Sequence, residues 1–271
     1  MGQSEDYFSD CTYVLDEGNF VMRRKRAPRV QELMNAYDNN MNEIGVYARS
    51  YIHYHKMWHK VVQCWIVGRT EAGIRVYLQR RSFEKMSHPG RYDVTAGGHV
   101  SAGELPEDAV LRETQEEIGL RLDTDRLQSL GYVKEVAGND REIAYLYVYE
   151  EANPPFRPGK EVIYMVSADI DDFYAMMKGE RESIVVVPAI KTGPMHEEAF
   201  SVTMENCCMH QNFLDVVYPY IKETMGSSKK TEQDGTQREY GRVRDAGLDV
   251  RCRADKRNDR LTGSGKHGVC R

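Results

Sequence analysis

Residues 98 to 120 read GHVSAGELPEDAVLRETQEEIGL, and within them Glu104, Glu113, Glu116 and Glu117 accompany a single arginine, Arg112. Like charges at helical spacing repel one another, so this cluster weakens the helix that carries it unless it holds something positive. At about 100° per residue, Glu113, Glu116 and Glu117 share one arc of a helix. Val110, Leu111, Thr114 and Ile118 fall on another arc, which makes one face core and the other a carboxylate patch. Hard oxygen donors of this kind select Mg²⁺ or Mn²⁺, ions that keep waters and complete their shells with substrate phosphates. Arg112 is placed either to fix a helix carboxylate or to reach an anionic substrate.

The elements that position these groups are legible around them. Pro106 suits a first helical position, Glu107 and Asp108 suit the positive end of the dipole, and Gly119 suits the cap, so the helix runs from Pro106 to Ile118. The preceding Gly97-Gly98-His99 reads as a loop whose bare backbone approaches phosphate, with Gly103 further on. Residues 57–225 alternate apolar strand candidates with turn signals: VVQCWIVG, IRVYLQRR, LQSLGYVKEV, EIAYLYVYEE, EVIYMVSAD and SIVVVPAI, with a closing helix from Glu205. That pattern is an α/β or α+β domain with a mixed sheet and few helices. Residues 1–56 carry a strand-like YVLDEGNFV and a helix-like VQELMNAYDNNMNEI but no motif, and read as an extension packing on the core. Residues 226–271 have almost no apolar periodicity and read as a disordered polar tail.

Gly98, Glu104, Arg112-Glu113, Glu116-Glu117, Gly119 and the apolar Leu120 resemble, at their spacing, the complete Nudix box. The resemblance implies an α/β/α sandwich and metal-dependent hydrolysis of a diphosphate linked to another group. It implies Glu113, Glu116 and Glu117 as ligands of Mg²⁺ or Mn²⁺, Glu104 as a further carboxylate there, Arg112 as the group that orients a helix glutamate, and Gly98 as the shaper of the loop. The general base is a box glutamate or a downstream acid such as Glu142, Glu161 or Glu197. Thr114 departs from the aliphatic residue usual at its place, but it lies on the core arc.

A second stretch, YIHYHKMWHKVVQCWIV followed by LQRRSFEKMSHPGRYDVTAGGH, is similar to the Nudix branch that includes isopentenyl diphosphate isomerases. In that branch a histidine-based metal site sits beside the box. His53, His59 and His99 fall at its histidines, and Asp140 and Glu142 near its paired glutamates, which makes His59 and Glu142 candidates for a second metal site. Isolated histidines in so polar and aromatic a stretch are more often surface or strand-edge groups than ligands. The isomerase pattern also needs a cysteine where this chain has Gly97, so hydrolysis is the favoured chemistry. A non-catalytic nucleotide sensor is the other alternative, and the intact glutamates argue against it. Lys85 and Arg91 flank SHPG within reach of a phosphate, Trp58 and Tyr92 offer surfaces for a substrate ring, and Trp65 reads as core.

The composition limits partners. A net charge of -5 gives no overall attraction to nucleic acid or anionic lipid, so the expected partner is a small diphosphate-containing molecule. With no apolar run of membrane length and no signal-like start, a cytoplasmic location is expected. The cysteines form no C-x-x-C pair, and Cys207 and Cys208, followed by His210, read as core thiols. No feature sets the oligomeric state, and a homodimer is compatible with the sequence.

Overall fold

The structure is a computed structural model that describes residues 11–16, 19–24, 31–71, 73–137, 140–190 and 198–226. Strands β1 (Cys11–Asp16) and β2 (Asn19–Arg24) pair antiparallel with each other. Strands β3 (Leu33–Tyr37) and β4 (Glu43–Ala48) form a second hairpin, followed by the short helix α1 (Arg49–Tyr54).

This hairpin corrects the helical reading of residues 30–44. The Asp38 carboxylate accepts the backbone N–H of Asn40 at 2.8 Å and of Asn42 at 2.9 Å, which closes a turn in the middle of the segment. Met34 and Ala36 then point inward with the period of a strand. Through Ala36 and Tyr37, β3 pairs with His59 and Trp58, so the boundary placed at residue 57 falls inside the sheet.

The rest of the chain runs β5 (Trp58–Thr70), β6 (Gly73–Arg81), β7 (Tyr92–Asp93), β8 (Ala96–His99), α2 (Pro106–Ile118), β9 (Gln128–Ala137), β10 (Asp140–Glu150), β11 (Val162–Asp169), α3 (Ile170–Met177), β12 (Ser183–Pro188), β13 (Phe200–Thr203) and α4 (Tyr218–Met225). The sheet order is β13-β12-β11-β6-β5-β10-β9, with β3, β7 and β8 joined at its side and β4 beyond β3. β5 and β10 are parallel and the other pairs antiparallel, which makes the sheet mixed. β5 changes partner halfway: Val61–Cys64 pair with β8, and Val67–Thr70 pair with β6.

Both faces of β5 are buried, which explains its nearly continuous apolar run. Val62, Cys64 and Ile66 pack with Ala109, Val110 and Ile118 of α2. Trp65 and Val67 face the other way, toward Phe173 and Met176 of α3 and Ile221 and Met225 of α4. The result is the α/β/α sandwich. Trp65 has no exposed surface and lies 4.7 Å from the Phe213 ring, as its core reading expects. Truncating so large a buried ring costs on the order of 3–5 kcal/mol.

Helix α2 has the bounds its punctuation predicts: Pro106 opens it, and Gly119 closes it at φ 65°. Any side chain at Gly119 is excluded as well as strained, because a Cβ there meets the Arg157 carbonyl oxygen at 2.6 Å. Thr114 is fully buried, and its hydroxyl donates to the Val110 carbonyl at 2.8 Å, which satisfies the polar group in the core. Helix α3 has no counterpart in the sequence reading; Asp169 caps it by accepting the amides of Asp171 and Asp172. The closing helix starts later than Glu205. Met204–Asn206 form a 3-10 turn, and a π-helical turn at Phe213–Val217 leads into α4. The polar tail beyond Gly226 lies outside the described residues.

Candidate active site

The carboxylates of α2 lean on β8, and β8 is a strand rather than the loop that its glycines suggest. Gly98 lies directly under Glu113, where a Cβ would overlap the Glu113 carboxyl group. The Gly97 N–H donates to Glu117 Oε2 at 3.0 Å, and Gln79 Nε2 donates to the same oxygen at 2.9 Å. Lys85 Nζ faces the other oxygen, Oε1, at 3.4 Å. The Gly97 amide expected to meet phosphate therefore holds a box carboxylate instead.

Arg112 gathers the remaining acids. Its Nε and Nη2 donate to the two oxygens of Glu104 at 2.8 and 2.9 Å, a bidentate pair. Its Nη1 donates to Glu113 at 2.6 Å and reaches Glu116 at 3.4 Å, while Nη2 also donates to the His99 carbonyl at 3.0 Å. Glu104, expected among the cation ligands, has both oxygens engaged by Arg112, and one also accepts the Ser101 amide. Its place is to hold the arginine. Glu116 is mostly exposed, Glu113 mostly covered and Glu117 buried.

Electrostatics follow burial. Burial pushes the Glu113 carboxyl up to about 7, against the pull of Arg112, and raises Glu117 as well, against the pull of Lys85. Arg112 holds Glu104 below the usual carboxylate range, and Glu104 in turn raises the guanidinium.

At the far end of β8 the His99 ring meets His53 of α1 and His59 of β5. One ring nitrogen from each lies within 4.8 Å of the others, the one such group among the described residues. Their outer nitrogens are all engaged: His53 Nδ1 with Asp140 at 2.6 Å, His59 Nδ1 with the Met57 carbonyl at 3.0 Å, and His99 Nδ1 with Glu32 at 3.2 Å. A carbonyl only accepts, so His59 Nδ1 carries the proton and its Nε2 presents a lone pair. That Nε2 is buried without a partner. His53 Nε2 and His99 Nε2 face each other at 3.3 Å. Outer-shell acceptors on every ring, with bare nitrogens converging inside, are what a borderline metal ion requires. Burial lowers His59 to about 4, and lowers His99 against the pull of Glu32, so both rings favour the neutral, ligating form.

The second site predicted from His59 and Glu142 is corrected in one member: the group contains His53 and His99, and Glu142 is outside it. Glu142 pairs across the strands with Glu135, and burial together with that carboxylate pushes it up to about 7. Asp140, on the same strand, orients His53. Glu161 shares the Lys85 ammonium with Glu117, and Glu197 lies outside the described residues.

Sequence reasoning missed Glu32, Gln79, Asp93 and His210. Asp93 receives Arg81 Nη1 at 2.8 Å and His210 Nε2 at 2.6 Å; burial opposes its charge, but His210 and Arg81 outweigh burial and hold it well below its usual range. His210 thereby pins the segment after β13 to β7, and Cys207 and Cys208 are buried free thiols, as their core reading expects. Sequence signals for Glu32 and Asp93 were lacking, since each acts through a partner brought close by strand register.

A family model for the NUDIX domain matches residues 57–183. An uncharacterized Nudix hydrolase of Clostridium acetobutylicum is 29% identical over 199 residues, covering 71% of this chain and 94% of that protein. An isopentenyl-diphosphate Delta-isomerase of Cutibacterium acnes is 35% identical over 92 residues, 34% of this chain and 45% of that enzyme. A crystal structure from Deinococcus radiodurans aligns with a TM-score of 0.45 at 21% identity, over 55% of this chain and 90% of that one. By these matches residues 57–183 form a NUDIX domain, and the chain is similar to Nudix hydrolases, which generally cleave pyrophosphate bonds. No helix among the described residues is long and apolar enough to cross a membrane.

Proposed function

We propose that this chain hydrolyses a phosphoanhydride bond in a small molecule of the nucleoside-diphosphate-linked type, using Mg²⁺ or Mn²⁺ held by Glu113, Glu116 and Glu117. The observation that carries the reading is the arrangement of those carboxylates: one buried and oriented by Gln79 and Gly97, one fixed by Arg112, one open to solvent. Divalent ions bound there would neutralise charge on the diphosphate and lower the pKa of an attacking water. The chain's own residues supply orientation. Glu104 aims Arg112, Arg112 aims Glu113, and Gly98 leaves room for the Glu113 carboxyl. A box glutamate or a downstream acid such as Glu142 or Glu161 would take the proton from that water.

The histidine group fits a second metal ion, since His59 Nε2 is buried without a partner among the described residues and the ring nitrogens of His53 and His99 converge beside it. Alone, that group favours the isomerase alternative, but Gly97 stands where the isomerase pattern needs cysteine. A Cβ at Gly97 would meet the Val62 carbonyl oxygen at 2.8 Å, so the backbone here has no room for that side chain.

The test is release of phosphate or a monophosphate from a panel of nucleoside diphosphate derivatives, dinucleotides, sugar nucleotides and isoprenoid diphosphates. Each is assayed with Mg²⁺, Mn²⁺ or chelator, with double-bond migration in isopentenyl diphosphate followed in parallel. Metal-dependent release from one compound supports hydrolysis. A shifted double bond without release overturns it, and tight ligand binding without turnover supports a sensor.

A further inference from the structure

Glu117 has its oxygens treated differently. Oε2 accepts two neutral donors, Gln79 Nε2 at 2.9 Å and the Gly97 amide at 3.0 Å, which fix the plane of the carboxylate. Oε1 has a single described partner, the Lys85 ammonium at 3.4 Å. That contact is long for a charge-assisted bond, which normally closes to about 2.7–2.9 Å. The ammonium has a second anchor in Glu161, whose side chain is 60% exposed. The loop that carries Lys85 is tied to the same place, because the Ser82 amide donates to the Glu161 carbonyl at 2.8 Å and the Lys85 amide to the Ser82 carbonyl at 3.2 Å. Lys85 thus lies between a buried carboxylate that needs a cation and an exposed one that does not.

We infer that Lys85 stands in for a divalent cation at Glu117: its ammonium, resting on Glu161, counters the buried charge of the metal-free protein and gives up the Glu117 contact when an ion binds. The inference rests on the reading of the box as a cation site. Two cations cannot share one carboxylate oxygen without strong mutual repulsion, so ion binding at Oε1 displaces the ammonium. Glu161, which already holds the ammonium, then keeps it alone, with the loop backbone anchored beside it. Arg112 cannot play this part, since Glu104 clamps it from both prongs. Lys85 therefore sets the metal affinity of the site by competition, and Glu161 sets how easily it gives way.

The test is Mn²⁺ binding to the full chain, read from the free-ion electron paramagnetic resonance signal at fixed pH and ionic strength. Lys85→Met is expected to tighten Mn²⁺ binding by roughly two- to fivefold, the range for a partly exposed ion pair. Glu161→Gln, which leaves the ammonium only Glu117, is expected to weaken it by a similar factor. Lys85→Arg keeps a cation in place and stays near the wild type. Lys85→Met should also melt lower than the wild type in chelator and recover in Mn²⁺, which separates loss of a counter-charge from loss of fold. Unchanged or weaker Mn²⁺ binding in Lys85→Met, or tighter binding in Glu161→Gln, overturns the inference. If Glu117→Gln leaves Mn²⁺ affinity unaltered, the failure belongs to the cation-site reading itself.

Discussion

Arg112 and Glu104 meet prong to prong, Nε to Oε1 at 2.8 Å and Nη2 to Oε2 at 2.9 Å, across the first turns of α2. This pair leaves Nη1 free to hold Glu113 at 2.6 Å, so the geometry of one box carboxylate depends on another. A lysine cannot reproduce the fork. Arg112→Lys is expected to lower kcat by roughly 10- to 100-fold through misplacement of Glu113. The lost charge-assisted bonds cost about 1–3 kcal/mol of stability. Steady-state kinetics beside urea unfolding checks both; full activity in Arg112→Lys would show that Glu113 needs no such support.

Gly98 carries a sharper expectation. A methyl group there must push the Glu113 carboxyl aside, since the three atoms nearest its Cβ position all belong to that group. Gly98→Ala should therefore lose about 10²-fold in kcat, the scale of an ångström-size misplacement. Circular dichroism should stay unchanged. Collapse of the fold instead would mean that the glycine serves the strand and not the site.

Glu116 and Glu117 differ in surroundings, and their amide variants should differ in kind. Glu116 is 62% exposed and loosely held by Arg112, so Glu116→Gln should lose turnover by about 10²-fold or more without changing the melting temperature. Glu117→Gln removes a buried charge and leaves Lys85 without that partner, so turnover falls together with a shift in thermal stability. Near-normal rates in both variants would sink the proposed metal ligands.

The two ends of the site differ in how far sequence reveals them. Helix α2 was legible to the residue because its signals are local: Pro106, Glu107 and Asp108 at one end and Gly119 at the other. The helical reading of residues 30–44 failed because Asp38, Asn40 and Asn42 form a turn, and turn chemistry outweighs a weak helical period. The fork between Arg112 and Glu104 spans eight residues and follows from one helix. The contact of Glu32 with His99 depends instead on how two distant strands register, and no short-range pattern records that. His53, His59 and His99 stood out as residue types, but which nitrogens converge is set by Asp140, Met57 and Glu32.

Glu142 gives a test that needs no substrate. Its folded-state pKa is raised from 4.5 to about 7 by burial and by Glu135 opposite. In metal-free protein its contribution to stability is thus fully present below pH 4.5 and is lost as pH rises through 7. Glutamine does not titrate, so Glu142→Gln should gain on the wild type as pH rises, by about 1–3 kcal/mol at pH 8 and by nearly nothing at pH 4.5. Urea unfolding in chelator at the two pH values measures the difference. An equal gain at both would show that Glu142 stays ionised throughout.

Glu32 is the residue on which the histidine group can be judged apart from the box. It lies before the matched domain, yet its carboxylate takes His99 Nδ1 at 3.2 Å and is held on its other oxygen by Arg49 at 3.4 Å. The bond from His99, with Arg49 nearby, lowers it to about 2, so it is ionised at neutral pH and turns the imidazole so that Nε2 points at His53. An outer-shell carboxylate of this kind typically governs 10- to 100-fold of metal affinity. Glu32→Ala should therefore weaken Co²⁺ binding by about that factor, read from the visible absorption of the bound ion. Manganese binding at Glu113, Glu116 and Glu117 should hardly change, because none of them contacts Glu32. Glu32→Asp should recover part of the loss. Equal weakening at both sites would mean that Glu32 supports the fold as a whole, and undiminished Co²⁺ binding would remove the histidines from the list of metal ligands.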